Sequence, residues 1–116
     1  MPTTRHDITV NQGSAFKLNV QALNSDRTVM NLTGYSARMQ IRSAPGVTPI
    51  LLDASTSNGR ITINASGGIV MVNVGADVTT SMVWNSGIYD LEIFTDAANV
   101  IRLVSGFASL SVEVTA

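Results

Sequence analysis

Apolar and polar side chains alternate along most of this chain, in several short runs. Five runs carry the alternation most clearly, and they span residues 15–23, 35–42, 60–64, 89–93 and 108–114. Successive side chains of a β-strand point to opposite faces of a sheet, so strict alternation is typical of strands with one buried face. In the last run this pattern places Ala108, Leu110, Val112 and Val114 on the buried face. The chain is therefore predicted to be built from half-buried strands.

Clusters of Gly, Asn, Ser and Pro lie between these runs and predict tight turns, because Gly and Asn tolerate positive φ and Pro fixes φ. Between "ILLDAST" and "RITIN", the pair Asn58-Gly59 suits the two-residue turn of a β-hairpin. The closing strands, from Gly87 onward, are predicted to form a second hairpin around "DAAN".

The number and spacing of the runs predict an all-β fold, an antiparallel Ig-like β-sandwich of about eight strands. At 116 residues the chain is long enough for one hydrophobic core and too short for two. No repeat, low-complexity tract or linker divides the sequence, so residues 1–116 are predicted to form a single domain. Residues 1–7 are expected to be a flexible N-terminal arm.

At most one short helical turn is predicted, at "DVTTSMVW" (77–84), where Asp77 is an acceptable N-cap. The β-branched residues of this segment argue against a longer helix. Met82 or Trp84 is expected to fold back onto the core. Trp84 is the single tryptophan, and it either plugs one end of the sandwich or faces a ligand.

Charged side chains are sparse, at 13% of the residues, whereas about 25% is typical of soluble domains. The net charge of −1 offers no basic face, so nucleic acid is not predicted as a partner. A surface low in charge favours association with other proteins. No stretch approaches the roughly 20 apolar residues of a membrane span. The N-terminus also lacks the apolar region of a signal peptide, so folding in a cytoplasm is expected.

Two carboxylates are the best candidates for acid–base chemistry. Asp90 and Glu92 lie two positions apart, so a strand would hold their Cα atoms roughly 6.5 Å apart on one face. That face is opposite Tyr89, Leu91 and Ile93, so both carboxylates are expected to be solvated. An acid–base pair needs two different environments that separate the two pKa values, and a solvated strand face does not supply them.

Other catalytic and ligand-binding patterns are weak. The single histidine, His6, is expected to be an exposed residue near the terminus, and no serine lies in a nucleophile elbow. With one histidine and no cysteine, a transition-metal site is not predicted. We therefore predict that the protein is not an enzyme and that it has no catalytic residues, no cofactor and no metal.

Two phenylalanines on the closing strands indicate an interface. If these strands keep their alternation, Phe94 and Phe107 point outward. Outward aromatic side chains on neighbouring strands are typical of a protein–protein contact. We predict Phe94, Phe107 and Trp84 as interface residues. The alternative is a β-bulge near Gly106 that turns Phe107 inward.

Five segments, in their order along the chain, carry a resemblance to a known class of proteins. They are "ITVNQGSAFKLNV", "NLTGYSARMQIRSAPG", "ILLDASTSNGRITI", "GGIVMVNVGADVTTSM" and "SGIYDLEIFTDAANVIRLVSGFASLSVEVT". Each segment is ordinary strand and turn sequence by itself. Their order, from about Ile8 to Thr115, resembles that of small β-sandwich structural proteins of tailed bacteriophages and prophages. It is similar in particular to the N-terminal domain of phage baseplate upper proteins.

The resemblance implies a non-enzymatic virion component that acts as a tail or baseplate adaptor and is made in the host bacterial cytoplasm. It implies other phage structural proteins as partners, and a homo-oligomeric or multicopy place in an assembly. The class has no catalytic residues to carry over. Two alternatives stay open: a head (capsid) decoration protein, and a carbohydrate or cell-surface binding module that would use Trp84 and the loop aspartates.

Overall fold

The computed structural model describes residues 3–114, which form a β-sandwich of two sheets. The elements in chain order are β1 (Thr4–Arg5), β2 (Ile8–Asn11), β3 (Phe16–Gln21), β4 (Ser36–Arg42), β5 (Leu52–Ser55), β6 (Ile61–Asn64), β7 (Ile69–Val74), α1 (Ala76–Thr79), β8 (Ser86–Asp96) and β9 (Asn99–Ser111). The predicted all-β fold with one short helical turn is confirmed, and nine strands stand where about eight were expected. No helix within the described range is long and apolar enough to cross a membrane.

The larger sheet has six strands, in the order β1-β9-β8-β4-β5, with β2 also paired to β9. The smaller sheet has the order β3-β7-β6 and is antiparallel. The larger sheet departs from the predicted antiparallel pattern at one edge, because β1 and β2 run parallel to β9. These strands lie at opposite ends of the sequence, so no tight turn obliges them to run in opposite directions.

Alternating apolar residues of both sheets form the core, as the sequence predicts. On β4, Ala37, Met39 and Ile41 are buried, while Arg38 points outward. The same pattern recurs on β7 and β8, and the buried side chains of both sheets make one hydrophobic cluster. Burial of these alternating residues from water is the main source of stability for a sandwich of this kind.

The closing hairpin is confirmed. β8 and β9 are antiparallel, and Asp96 pairs with Asn99 across the turn. A bulge near Leu103 interrupts the ladder, so that Leu103 and Val104 are both buried and the alternation changes phase there. The bulge lies upstream of Gly106, and Phe107 therefore stays outward with 57% of its surface exposed.

The predicted hairpin at Asn58-Gly59 is wrong. β5 pairs with β4 in the larger sheet, and β6 pairs with β7 in the smaller one, so the turn connects the two sheets. The Asn58 side chain holds this turn together: its carbonyl oxygen accepts hydrogen bonds from the backbone N–H groups of Ser55 and Arg60, both at 3.0 Å. An Asn-Gly turn can join two strands of one sheet or connect two sheets. Here it connects two sheets, because β5 pairs along its whole length with β4 and β6 with β7.

The predicted burial of Val112 and Val114 is also wrong. β9 ends at Ser111, and these two side chains are 64% and 99% exposed. The neighbouring strand β2 ends at Asn11, so the ladder has no partner strand beyond that point. The next contact is made by a side chain, as the N–H of Glu113 donates to Gln12 Oε1 at 2.9 Å.

The N-terminal segment was predicted to be a flexible arm, and its mobility remains a prediction. Residues 1–2 lie outside the described range, but residues 3–7 lie along β9. Thr3 Oγ1 donates to the Arg102 carbonyl at 3.2 Å, and the His6 N–H donates to the Ser105 carbonyl at 2.9 Å. Gly106 makes room for this segment, since a Cβ there would lie 2.4 Å from the His6 carbonyl oxygen. The edge of β9 that faces away from β8 explains this placement, because its backbone offers hydrogen-bonding groups to an extended segment.

The predicted helical turn begins two residues earlier than expected. Its N-cap is Gly75, and Asp77 lies in the first turn. Met82 folds back into the core, as predicted, and Trp84 packs against the core while remaining partly exposed.

Candidate functional site

Four of the seven basic residues lie on the outer face of the six-stranded sheet. They are Arg5 on β1, Arg38 and Arg42 on β4, and Arg102 on β9. Together with Asp90, Glu92 and Phe107 they line a groove of about 680 Å³, which we call the arginine groove. The alternation that buries the core residues of β4 and β8 turns the intervening charged residues toward this groove.

Three of these arginines each face a carboxylate. Arg38 Nε donates to Glu92 Oε1 at 2.8 Å, and Arg102 Nε lies 3.6 Å from Asp90 Oδ2. At the sheet edge, Arg5 Nη2 lies 3.5 Å from an oxygen of the neighbouring Asp7 carboxylate. Pairs as exposed as these contribute at most about 1 kcal/mol each to stability.

Arg42 is different, because its side chain is bound only to neutral oxygens. Its Nε and Nη2 donate to Gln40 Oε1 at 3.3 and 3.0 Å, and its Nη1 donates to the Val47 carbonyl at 3.0 Å. A guanidinium has five N–H groups, so one on Nη1 and one on Nη2 have no acceptor within residues 3–114. No carboxylate oxygen in that range lies within 4 Å of its guanidinium nitrogens. Arg42 therefore retains both charge and donors for another group.

Each predicted interface phenylalanine is covered by an arginine. The guanidinium carbon of Arg38 lies 4.7 Å from the ring centroid of Phe94, and that of Arg5 lies 4.7 Å from the ring centroid of Phe107. These are cation–π distances, and the stacking holds each guanidinium over the sheet. Both rings face outward, as predicted, and Phe107 is the more exposed of the two. Their role in an interface remains a prediction.

The strand register places an arginine and the exposed phenylalanine in one row across the sheet. Arg42 pairs with Ile88 on β8, and Ile88 pairs with Phe107 on β9. Neighbouring strands lie about 4.8 Å apart, so the Cα atoms of Arg42 and Phe107 are roughly 10 Å apart. The row joins a cationic end to an apolar end through a half-buried isoleucine.

Asp90 lies in the adjacent row, between Gln40 and Ser105. It points outward, as predicted, but it is less solvated than a free strand face would make it. Burial raises the pKa of the Asp90 carboxyl, and the negative charge of Glu92 raises it further. Nearby arginines act in the opposite direction with a smaller effect. Asp90 therefore holds a proton more readily than a free aspartate does.

Trp84 does not belong to the arginine groove. It lines a second groove of about 480 Å³, together with Val78, Met82, Val83 and Arg60 among others. Its ring packs against core residues, and its indole N–H is buried without a hydrogen-bond partner in the described part of the chain. The predicted role of Trp84 in an interface remains a prediction.

His6 is exposed, as expected, and takes part in the fold through its backbone. Its N–H donates to Ser105, and its carbonyl accepts a hydrogen bond from the Tyr89 hydroxyl. Across residues 3–114, no three His, Cys, Asp or Glu side chains lie close enough together to hold a metal ion.

The arginine groove was missed at the level of the sequence. The run "YSARMQIR" does place Arg38 and Arg42 on one face, together with Gln40, and this part of the groove could have been found by the alternation alone. Arg5 could not, because it reaches the groove only through the pairing of β1 with β9.

Comparisons with known proteins support the fold. No family model matches the sequence, and no curated protein matches it. Among solved structures 390 chains match, so the fold is too widespread to identify a function. One of them, a crystal structure of chicken TCR, aligns with a TM-score of 0.55 and 10% identity over 97% of this chain and 55% of that chain. The chain thus spans about half the length of that structure, and at this identity the likeness shows the Ig-like sandwich fold alone.

Proposed function

We propose that this chain is a non-enzymatic structural component of a tailed-phage particle and acts as a tail or baseplate adaptor through protein–protein contacts. The observation that carries the proposal is the arginine groove with the exposed ring of Phe107 at its rim. Arginine and aromatic side chains are enriched in the buried centre of protein interfaces. The order of segments along the chain supplies the phage context, through the resemblance described above.

Phe107 is suited to anchor such a contact. It lies on β9, which is paired on both sides, so its backbone is held rigidly. Its ring is already positioned by Arg5, and little side-chain entropy remains to be lost on docking. Burying an exposed phenylalanine contributes about 1.5–3 kcal/mol, which corresponds to a tenfold or larger change in affinity.

A multicopy particle also suits a weak individual contact. Few charges oppose the approach of neighbouring copies, since charged residues are 13% of the chain and the net charge is −1. Many copies arranged on one particle bind with an avidity far above that of each contact. Modest affinity at one groove is therefore sufficient for assembly.

The test is saturable binding of the purified chain to particles from its source, measured by co-sedimentation and by light scattering. We expect binding, and we expect Phe107→Ser to weaken it about tenfold. Val112→Ser is the matched control, because Val112 is 64% exposed, lies beyond the end of β9 and lines neither groove. A chain that remains monomeric and ignores the particles would overturn the proposal, as would equal losses in the two variants.

The same experiment separates the alternatives. Binding to isolated tails or baseplates supports the adaptor, and binding to isolated heads supports a capsid decoration protein. Binding to glycans with no binding to particles would support a carbohydrate or cell-surface module.

A further inference from the structure

We infer that the arginine groove takes an extended segment of a partner protein in which a carboxylate side chain, bound by Arg42, lies two residues from an apolar side chain that packs between Ile88 and Phe107. The inference rests on the proposed function and adds to it the docking face and the chemistry of the segment that docks.

Arg42 selects the charge of the occupant. It is the groove arginine with no carboxylate oxygen within 4 Å among residues 3–114, and it keeps one free N–H on each terminal nitrogen. A guanidinium that offers N–H groups from both terminal nitrogens matches a carboxylate, because both oxygens can accept at once. Its partners Gln40 and Val47 are neutral, so they orient the guanidinium without cancelling its charge.

Ile88 and Phe107 select the apolar part of the occupant. They continue the row that begins at Arg42, and the row is roughly 10 Å long. In an extended chain, side chains two residues apart point the same way and lie about 6.5–7 Å apart. A segment that crosses the strands along this row, with its acidic residue at Arg42, therefore places an apolar residue at i+2 between Ile88 and Phe107.

The carboxylates of the groove argue against a polyanion. Asp90 and Glu92 lie beside the row and would repel the successive phosphates of a nucleic acid. The net charge of the chain is also negative. A single carboxylate on Arg42 meets less of that repulsion than a run of phosphates, because it lies one row from Asp90 and two rows from Glu92.

Peptide binding tests the groove directly. The probe is an N-acetylated, C-amidated nine-residue peptide of sequence SGSESLSGS, and the control peptide carries Gln in place of its Glu. We expect saturable shifts of the backbone amide signals of Arg42, Ile88 and Phe107 in NMR titrations with the acidic probe. We expect about tenfold weaker binding of the Gln peptide, since a hydrogen bond to a charged group contributes more than one to a neutral group. Binding should also weaken as salt is added.

Two variants make the titration specific. Arg42→Gln removes the charge and should weaken binding of the acidic probe about tenfold while leaving the Gln peptide unchanged. Lys17→Gln removes the same charge from β3 in the other sheet and should leave binding intact. Thermal unfolding of both variants verifies that they fold. Equal binding of the two peptides, equal losses in the two variants, or no saturable shifts at those amides would overturn the inference.

The same variants separate this inference from the proposed function. If particles no longer bind the Arg42→Gln variant but still bind the Lys17→Gln variant, both proposals are supported. If particles bind both variants as well as the wild type, the assembly role stands and the groove is not the docking face. If particles do not bind the wild type, the assembly role fails, and the peptide titration still decides whether the groove binds an acidic segment.

Discussion

The hydroxyl of Tyr89 donates a hydrogen bond to the backbone carbonyl of His6, so a core side chain of β8 holds the N-terminal segment against the sheet. Tyr89 is only 4% exposed. Burial raises the pKa of its hydroxyl to about 12, with a further contribution from the negative charge of Asp7. The hydroxyl must be protonated to donate this hydrogen bond, and its burial in the fold keeps it protonated.

Replacing Tyr89 by Phe should lower the free energy of unfolding at pH 7 by about 1 kcal/mol, the net worth of one hydrogen bond. The wild type should also lose stability as pH rises from about 10 to about 12. In that window the unfolded chain releases the phenolic proton, while the folded chain retains it. Denaturant unfolding at pH 7, 10 and 11.5 measures both effects.

The Tyr89→Phe variant is its own control for the alkaline effect. It has no hydroxyl at this position, so its stability should fall less steeply than that of the wild type above pH 10. Parallel curves for the two proteins would show that Tyr89 does not titrate in this way.

Gly106→Ala should destabilise the protein by about 2 kcal/mol through overpacking. The new Cβ would lie 2.4 Å from the His6 carbonyl oxygen, and the N-terminal segment would have to move. In a chain lacking residues 1–7 the same substitution should have little effect, because His6 is then absent. A similar loss in the full-length and truncated chains would contradict this explanation.

Thr79→Val should lower the free energy of unfolding by about 2–3 kcal/mol. The buried hydroxyl of Thr79 donates to the Ser14 carbonyl at 2.8 Å and accepts from the Gly13 N–H at 3.1 Å. Valine has nearly the same shape but would leave both backbone groups without this partner. Thr79→Ser retains the hydroxyl and should lose only about 1 kcal/mol, for the missing methyl group. Chemical denaturation compares the two, and equal losses would show that packing alone matters.

Asp90→Asn should stabilise the protein at pH 7, by less than about 1 kcal/mol because the side chain is 40% exposed. A raised pKa means that the folded state prefers the neutral carboxyl, so Asp90 weakens the fold once it is ionised. The gain should therefore disappear at a pH low enough to protonate Asp90 in both states.

Asp26→Asn provides a contrast of opposite sign. Hydrogen bonds from the side chain and backbone of Thr28 lower the pKa of the Asp26 carboxyl, so its ionised form supports the fold. This variant should be less stable than the wild type at pH 7, and thermal unfolding across pH 3–7 distinguishes the two signs.

The faces of the strands could be predicted from the sequence, but the partners of the strands could be predicted only in part. Alternation on β4 and β8 identified the buried Met39 and Leu91, and the closing hairpin followed from one short turn. The turn at Asn58-Gly59 has the same local chemistry as a hairpin, yet it joins two sheets. The turn connects two sheets because distant strands pair with β5 and β6 along their whole lengths. The residues near the turn do not specify those partners.

The candidate site divides in the same way. The outward direction of Phe94 and Phe107 follows from the alternation of two neighbouring strands. Arg42 has no carboxylate partner because the nearby carboxylates pair with other arginines. Those pairings depend on side-chain geometry across three strands. Arg5 joins the groove through a strand pairing that spans almost the whole chain, and no local pattern indicates it.

The parallel strands at the sheet edge set an order of events during biosynthesis. Within residues 3–114, β1 and β2 pair only with β9, at a separation of about 100 residues, as between Thr9 and Ser109. Among the described strands a ribosome makes β1 and β2 well before β9, so Ile8 and Val10 emerge long before the strand that buries them. A nascent chain can assemble the three-stranded sheet while translation continues, but its larger sheet closes only after β9 has left the exit tunnel. Ile8 and Val10 are thus among the last of the described residues to reach their native contacts, and a chaperone at the tunnel mouth would meet them unpaired.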